Sequence, residues 1–145
     1  MIYSFTGTRK GMTQAQKGKI VSFLIATRGH EDVVHHGGCH GADTDFHRYA
    51  YSLDFSIVVH PGDAEQAKKY SGTTLWVCLP VGPYRTRNYT MVDVGDVLLA
   101  CPGMNVEENR SGTWMTIRYA KKQGKPIIIF WPDGRVEEIN MGDEG

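Results

Sequence analysis

Short unbroken apolar runs alternate along this chain with stretches in which apolar residues recur at helical spacing. Runs such as "IVVHP", "VLLACP" and "IIIFWP" lack the in–out alternation of a half-exposed strand. They read as strands buried on both faces, the mark of a parallel sheet. The predicted strands are "IYSF" (2–5), "DVVHH" (32–36), "FSIVVHP" (55–61), "DVLLACPG" (96–103) and "KPIIIFWPDG" (125–134). Between them, Ala15, Ile20, Phe23 and Leu24 share one stripe of a helix over 12–27, with Thr13 as its N-cap. Phe46, Tyr49, Ala50 and Leu53 mark a second helix over 42–53. "YRTRNYTMVDVG" (84–95) reads as a short helix, and "TWMTIRYAKKQG" (113–124) as a helix closed by Gly124. The region 62–83 has no clear period; "TLWVCLP" is read there as an extra strand, and "RVEEIN" (135–140) as a hairpin return along the sheet edge.

Strands alternating with helices predict an α/β fold: one Rossmann-like, doubly wound domain over 1–145 with a mainly parallel sheet. The length suits a single core, and no repeat or low-complexity linker divides it. Sixteen basic and sixteen acidic residues cancel, so no global field draws the chain to nucleic acid or to an anionic membrane. No apolar run approaches the roughly 20 residues of a membrane span. "MIYSFTGTRKG" is too soon interrupted for a signal peptide, and three cysteines without paired spacing suit a reducing compartment. A cytoplasmic protein is expected.

Such sheets bind ligands at the carboxyl ends of their strands. The glycine-rich and polar clusters fall at those ends: Gly7-Thr8-Arg9, then Gly37-Gly38-Cys39-His40-Gly41-Ala42-Asp43, then His60-Pro61-Gly62, then Pro102-Gly103 with Ser111-Gly112-Thr113 beyond. Helix N-termini there offer unpaired N–H groups to an anion, and glycines let backbone approach it closely. Arg9, Arg87 and Arg110 are candidates for bidentate phosphate contacts. A phosphate-bearing small molecule such as a nucleotide is the expected partner. Each feature has a plainer reading singly: a connector turn, a solvated arginine, Thr113 as a cap, Asp43 as a first-turn acid.

His35, His36, Cys39, His40, Asp43 and His47 raise the question of a metal. Strand alternation sends His35 and His36 to opposite faces, and a metal does not account for the glycines, so neither metal nor cofactor is expected. Cys39 as a nucleophile is also set aside, since a cysteine in a tight turn is usually a small packing residue. The tryptophans read as core or edge aromatics, with Trp114 as a candidate to stack on a base.

"GTRKG", "HHGGCHGAD…HRYA", "YRTRNYTMVDVGDVLLACPG" and "SGTWMTIRYAKKQGKPIIIF" occur in the order found in the SLOG superfamily. That Rossmann-like group includes the YspA-like proteins, the DNA-processing protein A fold and the lonely guy phosphoribohydrolases. The chain resembles the YspA-like members most, from Ile2 to about Phe130. The resemblance implies that Gly7, Thr8 and Arg9 border the ligand and that Gly37, Gly38, Gly41 and Asp43 form a second wall. It sets Arg87 and Asn88 at the place of the phosphate-contacting Arg-Lys pair, and matches Ser111, Gly112 and Thr113 to the end of the PGG-x-GT-x-x-E turn. It also implies a homo-oligomer. The catalytic glutamate of that turn is Thr116 here, which cannot stabilise an oxocarbenium-like centre by charge. Glu107, Glu108 and Asp43 are the candidate replacements. The leading expectation is therefore a nucleotide-binding or sensing domain, with an N-glycosidase or phosphoribohydrolase second. A DNA-binding accessory protein comes third.

Overall fold

Two central strands send alternate residues into two separate cores. In β5 (Val97–Cys101), Val97, Leu99 and Cys101 enter one core, while Leu98 and Ala100 enter the other. β6 (Ile127–Phe130) divides in the same way, Ile128 and Phe130 against Ile127 and Ile129. This is why both strands read as unbroken apolar runs: both faces are covered. The computed structural model describes residues 1–29 and 31–142.

Seven strands form one sheet in the order β4-β3-β2-β1-β5-β6-β7. The others are β1 (Ile2–Gly7), β2 (Val33–His36), β3 (Ser56–Val59), β4 (Val77–Cys78) and β7 (Val136–Ile139). All neighbours run parallel except β7, which pairs antiparallel to β6 in the expected hairpin. The larger core takes Ile20 and Leu24 of α1 (Gln14–Thr27), Phe46 and Ala50 of α2 (Ala42–Ser52) and Tyr70 of α3 (Ala64–Tyr70). The smaller takes Val92 of α4 (Tyr84–Val94) and Trp114, Ile117 and Ala120 of α5 (Gly112–Lys122). The fold is thus the doubly wound α/β arrangement expected. No helix among the described residues is long and apolar enough to cross a membrane.

Thr13 caps α1 through the Gln16 N–H at 3.1 Å, and Gln16 returns the bond to the Thr13 N–H at 2.9 Å. The Gln16 amide, 1% exposed, also donates to the carbonyls of Pro102 and Phe130. It satisfies the ends of β5 and β6 where their ladders stop. The unpredicted element is α3. Asp63 caps it, Glu65 lies in its first turn and Lys68 and Lys69 in its last, but only Gln66 and Tyr70 are buried. Its start and stop signals were present without an apolar stripe to join them.

Two histidine pairs hold β2 to its neighbours. His35 Nδ1 lies 2.7 Å from His60 Nε2 on one face, and His36 Nε2 lies 2.8 Å from His47 Nδ1 on the other. The Gly38 N–H donates to His36 Nδ1, so the His36 proton must be on Nε2, pointing at His47. His36 cannot charge without breaking that bond. Burial holds His36 well below its ordinary value and lowers His47 and His60 to about 4. Groups depressed in the fold contribute stability above pH 6.5, their unfolded value, and lose it as pH falls through the folded value. Urea unfolding at pH 7.5 and pH 5 should show a clear loss of stability at the lower pH. The slope is up to about 1.4 kcal/mol per pH unit for each such histidine. A His47→Gln variant should show a shallower loss.

Candidate functional site

The sheet reverses its winding between β1 and β5, whose carboxyl ends pair Gly7 with Cys101. Chain leaving two such strands diverges to opposite faces and opens a crevice. A cavity of about 380 Å³ lies there, within the roughly 300–1,000 Å³ of small-molecule sites. From the first turn come Gly7, Thr8, Arg9 and Lys10; from the second, Gly37, Cys39 and Asp43. α4 adds Tyr84, Arg87, Asn88 and Met91, and the approach to α5 adds Glu108, Arg110, Ser111, Gly112 and Thr113. Of the residues singled out from sequence at the strand ends, Gly38, His40, Gly41, Ala42, Pro102 and Gly103 are not on this wall, and neither is Glu107. The His60-Pro61-Gly62 turn also stands behind it, with Gly62 packed against Tyr84 and Arg87.

Several of the glycines also have a reason within the protein itself. A Cβ on Gly37 would lie 2.8 Å from the Arg87 guanidinium carbon, and one on Gly7 would lie 2.5 Å from the Ala42 Cβ. Gly41, with φ of 80°, takes the left-handed conformation, and a Cβ there would meet the Arg9 backbone and the Gly11 nitrogen. These glycines let protein approach protein. Gly112 is the contrast: it lines the cavity, and a Cβ on it would meet nothing within 4 Å.

Arg87 is 5% exposed and joins α4 to two loops and to α3. Its Nη1 donates to the carbonyls of Gly37 and His60, the latter at 2.7 Å, and to Gln66 Oε1 at 3.2 Å. Its Nη2 points to Cys39 Sγ at 3.2 Å. The guanidinium therefore borders the cavity while most of its donors are engaged within the protein. Asp43, 3% exposed, braces the second loop: one oxygen accepts the N–H groups of Gly37 and Cys39, each at 3.1 Å. Burial pushes its carboxyl up to about 6, against the pull of those N–H groups and of Arg87.

Tyr84 went unnoticed in the sequence. It stands three residues before Arg87, a spacing that puts both on one helix face, and the Arg87 guanidinium lies 4.2 Å from its ring centre. Its hydroxyl accepts from Arg9 and lies 3.0 Å from Cys39 Sγ. Burial pushes the phenol up, which keeps its proton in place. Lys10 was also missed; it is exposed at the cavity and lies beside Met104.

α5 begins with Ser111, whose hydroxyl accepts the Trp114 N–H at 3.2 Å. The N–H groups of Gly112 and Thr113 precede the helical ladder and lie at the cavity wall. Trp114 does not serve as a stacking platform: it is 2% exposed and packs in the smaller core near Trp131. The helical step from Thr113 to Trp114 sets the indole in the core while Thr113 lines the cavity. Thr116 is 1% exposed, and its hydroxyl donates to the Gly112 carbonyl. Glu107 pairs with Arg118 at 2.7 Å, and Arg118 also bonds the Glu108 carbonyl at 2.6 Å. Glu108 itself lines the cavity. Among the described residues no group of three His, Cys, Asp or Glu side chains is placed to hold a metal.

The two acceptor bonds of Asp43 predict different outcomes for two substitutions. Asp43→Ala should lose about 1–3 kcal/mol by orphaning two buried N–H groups, whereas Asp43→Asn keeps an accepting oxygen and should lose much less. A carboxyl raised in the fold contributes stability that is complete below its unfolded value near 3.8 and is lost as pH rises through about 6. Asp43→Asn should therefore gain on the wild type between pH 5 and pH 7.5 in chemical unfolding.

No family model matches the chain, and no curated protein matches its sequence. Solved structures do match its fold. The molybdenum cofactor binding protein from the phototrophic bacterium Rippkaea orientalis matches with a TM-score of 0.68 and 20% identity, over 90% of this chain and 76% of that one. DNA processing protein A from Streptococcus pneumoniae matches with a TM-score of 0.66 and 17% identity, over 88% of this chain and 49% of that one. The structural-genomics target TM1055 matches with a TM-score of 0.59 and 16% identity, over 87% of this chain and 71% of that one. The chain thus spans about half of the pneumococcal protein and most of the other two. These likenesses show that the protein shares the Rossmann-like α/β fold of these structures, as its sequence pattern led us to expect.

Proposed function

We propose that the cavity binds a nucleotide or a nucleotide-derived phosphorylated small molecule, and that the protein acts as a binding or sensing domain. The supporting observation is the local charge. In a chain of net charge zero, Arg9, Lys10 and Arg110 stand exposed at one cavity beside the first-turn N–H groups of α5. Glu108 is the exposed-side acid among them, since Asp43 is turned to backbone. Such a concentration of donors suits a phosphate. The solved neighbours include a molybdenum cofactor binding protein and a single-stranded DNA binding protein. A cavity of about 380 Å³ suits a small molecule better than a strand.

A second reading, an N-glycosidase acting on a nucleoside monophosphate, rests on Glu108, a cavity carboxylate not engaged with backbone N–H groups. Glu107 is a weaker candidate, being paired with Arg118 away from the wall. Self-association and cytoplasmic residence, both expected from the sequence, are separate proposals. Sedimentation and fractionation test them.

Incubation with a mixed nucleotide pool, followed by mass spectrometry of retained and consumed compounds, tests the reading. Retention of one intact phosphorylated compound is the expected result. Release of free base with ribose phosphate, abolished in Glu108→Gln, would replace binding with hydrolysis. Neither retention nor release would overturn both. With the retained compound, Arg9→Ala should weaken binding by about 1.5–3 kcal/mol, the range of a charge-assisted contact. Arg9 is the better probe than Arg87, because its guanidinium has Tyr84 as its hydrogen-bond partner and does not hold the loops together.

A further inference from the structure

The three cysteines have different surroundings. Cys101 is fully buried on β5, and burial pushes its thiol far up. Cys78 is half-buried at the sheet edge, its sulfur near the carbonyl oxygens of Ala67 and Leu79 at 4.0 and 3.8 Å. Carbonyls accept, so they suit a thiol that keeps its proton. Cys39 has the opposite company. Arg87 Nη2 at 3.2 Å and Gln66 Nε2 at 3.9 Å are both donors. The Tyr84 hydroxyl, 3.0 Å away, already accepts from Arg9, so its own proton is free to point at the sulfur. The Cys39 sulfur thus faces N–H and O–H groups on three sides, whereas that of Cys78 faces carbonyl oxygens.

Arg87 supplies an independent sign. A guanidinium does not give up its proton, and a buried cation needs an anion near it. The nearby Asp43 carboxyl interacts with Arg87, but among the described residues no carboxylate lies within ion-pair distance of it, and its buried Nε has no hydrogen-bond partner. This cation lines the cavity next to the Cys39 sulfur.

We propose that Cys39 is the nucleophilic thiol of the cavity and the site at which a hydroperoxide modifies this protein. The sulfur attacks one peroxide oxygen, forming an S–O bond as the O–O bond breaks. Sulfur is oxidised to sulfenic acid and the peroxide is reduced to an alcohol, or to water from hydrogen peroxide. The departing oxygen takes the proton that the thiol gave up. Arg87 and Tyr84 act as positioning residues, stabilising charge on sulfur. The inference does not depend on which compound the cavity binds.

The experiment compares thiols within one molecule. The purified protein is treated with limiting iodoacetamide, and separately with hydrogen peroxide plus dimedone as a sulfenic acid trap; peptide mass spectrometry follows each cysteine with time. Cys39 should react several-fold faster than Cys78 although it is the more buried, and dimedone should appear on Cys39. Cys101 labels only when the chain opens, so it reports on folding in the same sample. Tyr84→Phe removes one donor at nearly constant volume and should slow Cys39 while leaving Cys78 unchanged. Cys78 reacting as fast as Cys39, or an unchanged Cys39 rate in a folded Tyr84→Phe, would overturn the proposal. If Tyr84→Phe exposes Cys101, the wild-type ratio of Cys39 to Cys78 decides alone.

Discussion

The guanidinium of Arg87 is the point at which the carboxyl end of the sheet is tied together. It extends from the first turn of α4 to the carbonyls that follow β2 and β3 and to a side chain of α3. Those carbonyls stand beyond the ends of the strand ladders, where water would otherwise be their partner. One planar, always charged group satisfies them from a fixed geometry, which an ammonium on a flexible stem does less well. Around it the rest of the wall falls into place: Gly37 lies against its face, Tyr84 packs on it at 4.2 Å, and the Cys39 sulfur meets its second nitrogen.

This arrangement bears on what chemistry the cavity can perform. Two of the three acids considered as replacements for the missing glutamate are already engaged. Asp43 holds the N–H groups of its own loop, and Glu107 is paired with Arg118. Thr116 is turned into the helix, bonded to the Gly112 carbonyl. The polar groups free at the cavity are mainly cationic or donors, a set that holds an anion more readily than it cleaves a glycosidic bond.

Much of the architecture was legible because burial on both faces leaves continuous apolar runs, and because turns after parallel strands must carry glycine or caps. β5 and β6 are the clearest cases. α3 escaped because it is short and buries Gln66 and Tyr70 without an apolar period, although Asp63 and its lysines marked its ends. At the cavity, sequence reasoning brought together Thr8, Arg9, Asp43, Arg87, Asn88 and Thr113 on one wall. It did not foresee that Arg87 faces inward, since an arginine is usually solvated and its partners are backbone carbonyls that no side-chain pattern announces. Tyr84 was hidden for the same reason: its role depends on Arg9 and Cys39, which come from two other strand ends.

The contact between Gly37 and Arg87 also constrains how this chain can change over time. A side chain at position 37 would press on the far end of the Arg87 side chain, so such a substitution requires the guanidinium to shift from its place. Shrinking position 87 leaves the Gly37 and His60 carbonyls without their donor. The two positions, 50 apart in sequence, are therefore coupled: a change at either disturbs the hydrogen bond between them.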